Sequence, residues 1–409
     1  MKMRTAGLLA FCVGILIIFG MVGSSLVMAS DTIRIGFVAD ATGIGAGVYQ
    51  GQKNGIDLFI EETNAAGGLL GKKVEVVVRD AQLKPDVGAT MARELILSEK
   101  CDFLLGGTSS GVGLAITKVA QEFKKMLVIH TCNSEALTTT DFQPFMFQVV
   151  PNTGMQGRAI ALYLSQKPYK RFGYIGPDYT YGHTEWESFK KDLSKLKPDV
   201  TLLEPVWVKV GETNYTSSIP LVLGQNPEII FSSLWGGGLS SFIKQATPYG
   251  LFKKSSITAL FELDMLKAMG QAMPEGMLGF TRCPFYAIDT PEMKAFVQKY
   301  QSKYKEYPSD WAILAYEGLL ALTQAMKQAN SVDSEQLVRT IEGMHFKSLR
   351  GDRYIRAEDH MANVGVYIGY TAKDPTYKDF LVMKDVVEVP AEKTWLSVEE
   401  VKKLQPSGK

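Results

Sequence analysis

The sequence is short of cysteine. Only four of its 409 residues are cysteines, and one of these, Cys12, lies in the apolar N-terminal run, which leaves Cys101, Cys132 and Cys283. An odd and small number of cysteines excludes the disulfide framework that small exported domains use in place of a large core. A single pair, such as Cys101 with Cys132, stays open, although the spacing gives it no support.

An excess of charge of either sign is also missing. Lysine and arginine together number 44 and aspartate and glutamate 43, so the formal net charge is +1. This balance gives no support to a nucleic-acid partner or to an anionic membrane surface. The chain has only four histidines, and it contains no zinc-ligand spacing, no P-loop, no low-complexity tract and no obvious internal repeat. We therefore expect neither a metal nor a cofactor.

The N-terminus has the pattern of a secretion signal. Lys2 and Arg4 precede an uncharged apolar run over residues 6–28, which is followed by Ala29. We interpret residues 1–29 as a signal peptide that is cleaved after Ala29, with an uncleaved membrane anchor as the alternative. No later apolar run is long enough to span a bilayer, so we expect a soluble, exported protein that is periplasmic or otherwise extracytoplasmic. The 409 residues are enough for two cores.

The most informative stretch runs from Cys101 to Gly111. A short apolar strand leads into two glycines, then Thr108, Ser109 and Ser110, and then a segment with helical spacing of apolar residues. The first backbone N–H groups of a helix have no partner inside it, and the helix dipole favours an anion there. This pattern predicts that the three hydroxyl-bearing residues hold the carboxylate of a small ligand.

The same stretch allows two other interpretations. Residues 107–111 fit G-x-S-x-G, the motif in which serine hydrolases place their nucleophile between a strand and a helix. That chemistry requires a histidine base and an acid, and no motif marks any of the histidines as the base: His130, His183, His345 and His360. The turn could also be purely structural. We favour the ligand cradle and expect no enzymatic activity.

Strands and helices alternate along the first part of the chain. Strand-like apolar runs at residues 32–38, 73–79, 101–105 and 126–129 are separated by segments with helical periodicity. This alternation predicts a parallel sheet with helices on both faces. Because ligands bind outside the carboxyl ends of the strands in such sheets, the loops after these strands are expected to come together at one site.

Two of these loops carry further candidates. Thr131, Cys132 and Asn133 follow the fourth strand and offer short hydrogen-bonding groups, which suit a ligand or a capped helix start equally well. The loop after the first strand has glycines at G-x-G-x-G spacing. This differs from the dinucleotide-binding G-x-G-x-x-G, so we interpret the loop as a ligand-facing one that bears Tyr49.

Strand-like runs also recur between helical segments in the second half of the chain, at residues 171–176, 200–206, 228–234, 256–261 and 277–280. A further strand is expected at residues 364–369. The alternation predicts an α/β fold for this half as well.

Five segments, in this order along the chain, resemble one protein family: 33–36 (IRIG), 64–73 (NAAGGLLGKK), 106–110 (GGTSS), 149–152 (VVPN) and 178–182 (DYTYG). They are similar to segments of the periplasmic substrate-binding proteins of branched-chain amino-acid ABC transporters, and the resemblance covers nearly the whole mature chain. It implies an α/β fold of two doubly wound, Rossmann-like lobes with mainly parallel sheets, joined by three crossovers, that close on the ligand. The implied bounds are residues 30–150 plus 282–349 for the N-terminal lobe, which later helices complete, and residues 151–281 plus 350–409 for the C-terminal lobe. It also implies a monomer that delivers a small molecule to the membrane permease and ATPase of an importer.

The resemblance carries over a set of ligand-binding positions in the first lobe. In the family, hydroxyls and backbone amides hold the carboxylate of the amino acid. The matching positions are Ser109, Ser110 and the loop of Thr131, Cys132 and Asn133.

Other positions carry over from the second lobe. The family's aromatic residues match Tyr181 and Trp235, and its acid for the ligand's ammonium group matches Glu262, at the end of a predicted strand. Tyr49 matches a first-lobe aromatic to within a residue or so. Large flat side chains in the pocket suit a branched-chain or aromatic amino acid.

Three departures from the family pattern affect the expected ligand. The frequent cysteine after the second strand is absent from residues 80–83, residues 130–133 replace small and hydroxyl residues, and Trp235 stands where tyrosine is common. A carboxylate without an amine therefore stays open as the ligand, as does a sensing role in a receptor. Arg282, near a crossover, is expected to pair with a carboxylate of the protein or of the ligand.

Overall fold

The computed structural model describes residues 32–406, so the predicted signal peptide lies outside the described residues. The strands in this range are β1 Thr32–Ala39, β2 Lys73–Asp80, β3 Phe103–Gly106, β4 Leu127–Ile129, β5 Met146–Gln148, β6 Arg171–Pro177, β7 Thr201–Leu202, β8 Val206–Val208, β9 Ile229–Ser232, β10 Ser256–Leu260, β11 Leu278–Thr281, β12 His345–Ser348, β13 Gly351–Tyr354, β14 Val366–Ala372 and β15 Val382–Val389. The α-helices are α1 Ala46–Ala65, α2 Pro85–Leu97, α3 Ser110–Glu122, α4 Thr153–Ser165, α5 Thr180–Leu196, α6 Ser218–Gly224, α7 Gly236–Ala246, α8 Leu251–Lys254, α9 Leu263–Met269, α10 Pro291–Tyr304, α11 Asp310–Ala329, α12 Ser334–Ile341 and α13 Val398–Leu404.

The first sheet is parallel throughout. Its strands lie in the order β2-β1-β3-β4-β5, with β1 and β3 near the centre. The side chains of β3 and β4 are buried along their whole length, as expected where helices cover both faces of a parallel sheet. The parallel sheet predicted from the alternation of strands and helices is confirmed, and β5 extends it by one strand beyond those predicted.

The second sheet is mixed. Its main path runs β15-β14-β11-β10-β9-β6-β7, with β8 also paired to β6, and the two C-terminal strands β14 and β15 pair antiparallel. The strand predicted over residues 200–206 is divided into β7 and β8. Pro205, which lies between them, has no backbone N–H to donate to a ladder, and this explains the interruption.

Helix α11 returns the chain to the first lobe, where it packs along α1. The two helices approach closely at Gly55, because a Cβ atom placed there would lie 2.1 Å from the carbonyl oxygen of Ala312. A larger residue would push the helices apart. This contact fixes the start of α11, which lies next to the crossovers, against the first lobe.

The chain passes between the two lobes three times: after β5, after β11 and after the β12–β13 hairpin. The two-lobe α/β architecture predicted from the sequence is therefore confirmed, while the residue bounds of each lobe stay a prediction. Within residues 32–406, no helix combines the length and the apolar character that crossing a bilayer requires.

Candidate functional site

A cavity lies between the two lobes, at the carboxyl ends of strands from both sheets. It contains about 400 Å³ of empty space, part of it open to solvent. Residues indicated by the sequence form much of its wall: Ser109, Ser110, Thr131, Asn133, Tyr181 and Trp235. Thr108, Tyr179, Arg282, Trp311 and three aliphatic side chains complete it.

The hydroxyl-rich turn adopts the strand–turn–helix geometry predicted for it. β3 ends on Gly106, whose φ of +129° is accessible to glycine, and a Cβ atom there would lie 2.2 Å from the carbonyl oxygen of Val38. The hydroxyl of Ser109 caps α3 and accepts a 3.3 Å hydrogen bond from the backbone N–H of Val112. The proton of this hydroxyl is thereby left for another acceptor.

Two of the backbone amides in this turn already have a partner, which the sequence did not reveal. The N–H groups of Thr108 and Ser109 donate to one carboxylate oxygen of Asp40 at 3.2 and 3.4 Å, and Leu83 donates to the other at 2.7 Å. Burial raises the pKa of Asp40, and these three hydrogen bonds oppose that shift. Asp40 therefore holds the backbone of the turn through hydrogen bonds, and the side chains of the turn line the cavity.

The loop after β4 divides its residues between the cavity and the core. Asn133 lines the cavity, and a 2.7 Å hydrogen bond joins its amide to that of Gln156. Cys132 points instead toward α3, where its Sγ would lie 2.2 Å from a Cβ atom at Gly113. Burial raises the pKa of this thiol to about 12, so it is a packing group here and does not line the cavity.

All three cysteines of the described chain are free thiols, so the pair left open between Cys101 and Cys132 is not formed. Each of the three is buried. No disulfide therefore stabilises the lobes within residues 32–406.

Aromatic side chains form the opposite wall. Tyr179 and Tyr181, from the start of α5, have ring centroids 5.9 Å apart, and Trp235 precedes α7. Trp311, from the first turn of α11, joins them across the cleft. No local sequence pattern marked Trp311 as a cavity residue, because its place in the wall depends on the return of α11 to the first lobe.

Tyr49 lies away from the cavity wall. It stacks on Phe37 with ring centroids 6.2 Å apart, and the preceding residue on α1, Val48, lines the cavity instead. The family position carried over to this loop was given only to within a residue or so, and the helical register of α1 turns Val48 inward.

A buried cation dominates the electrostatics of the cleft. The Arg282 side chain lines the cavity and is only 4% exposed, and its Nη1 lies 3.5 Å from a carboxylate oxygen of Glu262. Its guanidinium also lies 5.1 Å from the centre of the Trp311 ring. Glu262 is buried beside the cavity, and burial raises its pKa well above the usual value while Arg282 opposes the shift. Burial thus disfavours the ionised form of the carboxyl that faces this cation.

A second buried acid lies on the other side of Arg282. When the Gln156 amide is turned so that its oxygen faces Arg282 instead of Asn133, Nε of Arg282 donates to that oxygen at 3.0 Å and the amide nitrogen donates to Glu185 at 3.1 Å. Burial raises the pKa of Glu185 to about 7, and Ser233 and Arg282 lower it. Sequence reasoning missed both Gln156 and Glu185, because they lie within helices and match no motif.

The arrangement offers no base to Ser109. His183 pairs with Asp178 on the surface, and the Nδ1 atom of His360 contacts a backbone carbonyl. Both ring nitrogens of His130 are buried without a hydrogen-bond partner among the described residues, and burial lowers its pKa to about 3. Within residues 32–406, no group of three or more metal-binding side chains occurs.

Comparisons with known proteins agree with this geometry. The sequence model of the family described as periplasmic binding protein matches residues 32–374. The leucine-, isoleucine-, valine-, threonine- and alanine-binding protein of Pseudomonas aeruginosa is 19% identical over 354 residues, which covers 86% of this chain and 93% of that protein.

Two solved structures share the fold. A solute binding protein of an ABC transporter from Rhodopseudomonas palustris, in complex with 3,4-dihydroxybenzoic acid, has a TM-score of 0.80 at 21% identity and covers 88% of this chain and 98% of that one. A leucine binding protein from Thermotoga maritima has a TM-score of 0.76 at 22% identity, with 87% and 99% covered.

Proposed function

Since this chain belongs to the periplasmic binding protein family, we propose that it captures an α-amino acid with a branched or aromatic side chain outside the cytoplasm and delivers it to an ABC importer. One observation carries this proposal. A single cavity between the lobes has hydroxyl groups on one wall and aromatic rings on the other. Hydroxyl donors suit the ligand's carboxylate, and the rings suit an apolar side chain.

The residues have distinct roles in this proposal. Ser109, Ser110 and Thr131 hold the ligand's carboxylate, and Tyr181 and Trp235 contact its side chain. Both walls must contact the ligand at once, so binding favours the closed arrangement of the lobes by the difference in affinity between the two states.

Arg282 favours a second candidate ligand, an acid without an amine. Glu262, the acid expected to bind an ammonium group, lies 3.5 Å from Arg282 and therefore has a cation beside it within the protein. An arginine stays charged under all ordinary conditions, and burial disfavours the ionised form of this neighbour. A carboxylate without an amine, such as an aromatic acid, would supply the missing negative charge. The relative from Rhodopseudomonas palustris was solved with such an acid.

Calorimetric titration of the mature chain distinguishes the two candidates. The probes are leucine and phenylalanine and the matching acids without the amine, 4-methylpentanoate and 3-phenylpropanoate, together with benzoate. Saturable binding of leucine or phenylalanine, with no binding of aspartate or lysine, is the expected result. Preference for a charged side chain would contradict the proposal, and preference for the amine-free acids would favour the second candidate.

The same preparation tests the absence of catalysis. Panels of esters, amides and peptides should release no product. Turnover that disappears in Ser109→Ala would show a hydrolase instead.

A further inference from the structure

Gln52 lies behind the hydroxyl wall of the cavity, on α1, and is fully buried. Its amide nitrogen is 2.8 Å from the hydroxyl oxygen of Thr131 and 3.4 Å from that of Thr108. These two threonines follow different strands, β4 and β3, and both line the cavity. One amide therefore contacts both loops that form the hydroxyl wall of the candidate carboxylate site.

The direction of these hydrogen bonds determines what Thr131 offers to a ligand. An amide NH₂ group only donates, so the hydroxyl of Thr131 must accept from it, and a hydroxyl has one proton of its own. Among residues 32–406, no hydrogen bond is recorded in which this proton is donated to a protein group. The proton is thus left for an acceptor in the cavity. The hydroxyl of Thr108, in contrast, also interacts with the carboxyl group of Asp40.

We propose that Gln52 is a positioning residue that fixes Thr131 as a hydrogen-bond donor to the cavity, so that the site selects a carboxylate over an uncharged amide. This inference rests on the proposed function, because it concerns the ligand's acidic group in the same cavity. It adds a residue that contacts no ligand and acts through Thr131.

The buried Gln52 side chain is hard to explain by stability alone. Its amide oxygen has no hydrogen-bond partner among the described residues, and a buried polar group without a partner destabilises the folded protein. A methionine would fill a similar volume without that cost. Polar groups left unsatisfied in this way occur at functional sites, where orientation outweighs stability.

The test reverses the hydrogen bond. In Gln52→Glu, measured above the pKa of the new buried carboxyl, the ionised side chain can only accept, so the hydroxyl of Thr131 must donate to it and presents lone pairs to the cavity. Affinity for a carboxylate should fall by about 10- to 100-fold, as for a lost hydrogen bond to a charged group, and affinity for the corresponding amide should fall less or rise. The probes are leucine with leucinamide, phenylalanine with phenylalaninamide, and benzoate with benzamide.

Two further variants keep the result interpretable. Gln52→Met removes the donor without reversing it and should give an acid-to-amide affinity ratio between those of the wild type and Gln52→Glu. Gln50→Glu, an exposed change on the same helix, should leave the ratio at its wild-type value. In a Thr131→Val background, Gln52→Met should no longer change the ratio by more than about twofold, because the group through which Gln52 acts is missing.

The outcomes separate this inference from the proposed function. If the wild type binds an acid and Gln52→Glu keeps the wild-type ratio, the inference about Gln52 is wrong and the proposed function stands. If Gln52→Glu and Gln52→Met both fail to fold, as judged by circular dichroism, Gln52 is a structural residue and the inference is also wrong. If the wild type binds none of the acids, the proposed function fails first and this inference fails with it.

Discussion

The buried guanidinium of Arg350 binds both carboxylate oxygens of Glu317, with Nη2 2.5 Å from Oε2 and Nε 3.2 Å from Oε1. The same guanidinium donates to the carbonyl oxygens of Val149 at 3.1 Å and Arg282 at 3.4 Å. Val149 and Arg282 lie in the first two segments that connect the lobes, and Arg350 lies in the turn of the β12–β13 hairpin, which precedes the third. One ion pair thus ties two crossovers and this hairpin to α11.

The first prediction concerns the stability of this junction. Glu317→Gln leaves a permanently charged arginine buried without its counter-ion, and we expect it to lower the free energy of unfolding by about 3–5 kcal/mol. Urea denaturation measures this change. Glu61→Gln is the matched control, because Glu61 pairs with Lys303 on the surface and should cost no more than about 1 kcal/mol. Equal effects of the two variants would contradict the role of the ion pair.

The second prediction concerns motion about the crossovers. The sequence places the hinges at residues 150–151, 280–281 and 348–352, because hinge motions concentrate changes of φ and ψ in a few connecting residues. The last of these ranges lies within the β12–β13 hairpin, so we place the third hinge in the segment that follows Tyr354. A ligand that contacts both walls of the cavity should shift the lobes toward the closed state. Small-angle X-ray scattering should therefore show a smaller radius of gyration with saturating leucine or phenylalanine. Aspartate serves as the control, and an unchanged radius with a ligand whose binding calorimetry has verified would contradict the closure.

The third prediction concerns the two charges beside the cavity. If Glu262 binds the ligand's ammonium group, Glu262→Gln should weaken leucine or phenylalanine by about 2–5 kcal/mol, the size expected for a broken, desolvated charge pair. It should affect 4-methylpentanoate and 3-phenylpropanoate little, because they lack the amine. Calorimetry of both pairs gives the comparison, with Glu275→Gln on the surface as the control. If the amino acid and the amine-free acid bind equally, and Glu262→Gln changes neither affinity, Glu262 pairs with Arg282 and does not bind the ligand's amine.

The fourth prediction concerns pH. Burial raises the pKa of Glu185 to about 7, whereas an unfolded glutamate titrates near pH ~4.3. Between these values the folded protein holds a proton that the unfolded chain has lost, so this residue makes stability fall as the pH rises from about 4.3 to about 7. The total effect is about 4 kcal/mol, because each pKa unit corresponds to about 1.36 kcal/mol.

Comparison with Glu185→Gln isolates this contribution from those of other titrating groups. The variant should gain stability relative to the wild type as the pH rises through that window, with urea denaturation at several pH values as the measurement. Glu187→Gln, an exposed change on the same helix, should differ from the wild type by a constant amount. A pH-independent difference for Glu185→Gln would show that this carboxyl has the same pKa in the folded and unfolded protein, and would contradict the prediction.

Much of the fold could be predicted from local patterns. Apolar runs that alternate with helical periodicity predicted the parallel first sheet, and the turn of Thr108 to Ser110 was placed between a strand and a helix. β8 was missed as a separate strand because a single proline divides one apolar run. β15 was missed because its exposed and buried residues do not follow a clear alternation.

The sequence by itself determined where the site lies. Ser109, Thr131 and Tyr181 each follow a strand directly, and the carboxyl ends of parallel strands meet at one edge, so their convergence on the cavity follows from local pattern and topology. The tertiary structure alone decided their partners. Asp40 and Thr108 are 68 residues apart, and Gln52 and Thr131 are 79 apart, and no local spacing encodes such contacts. They depend on the packing of α1 against two loops, where burial in a medium of low polarity requires each donor to find an acceptor.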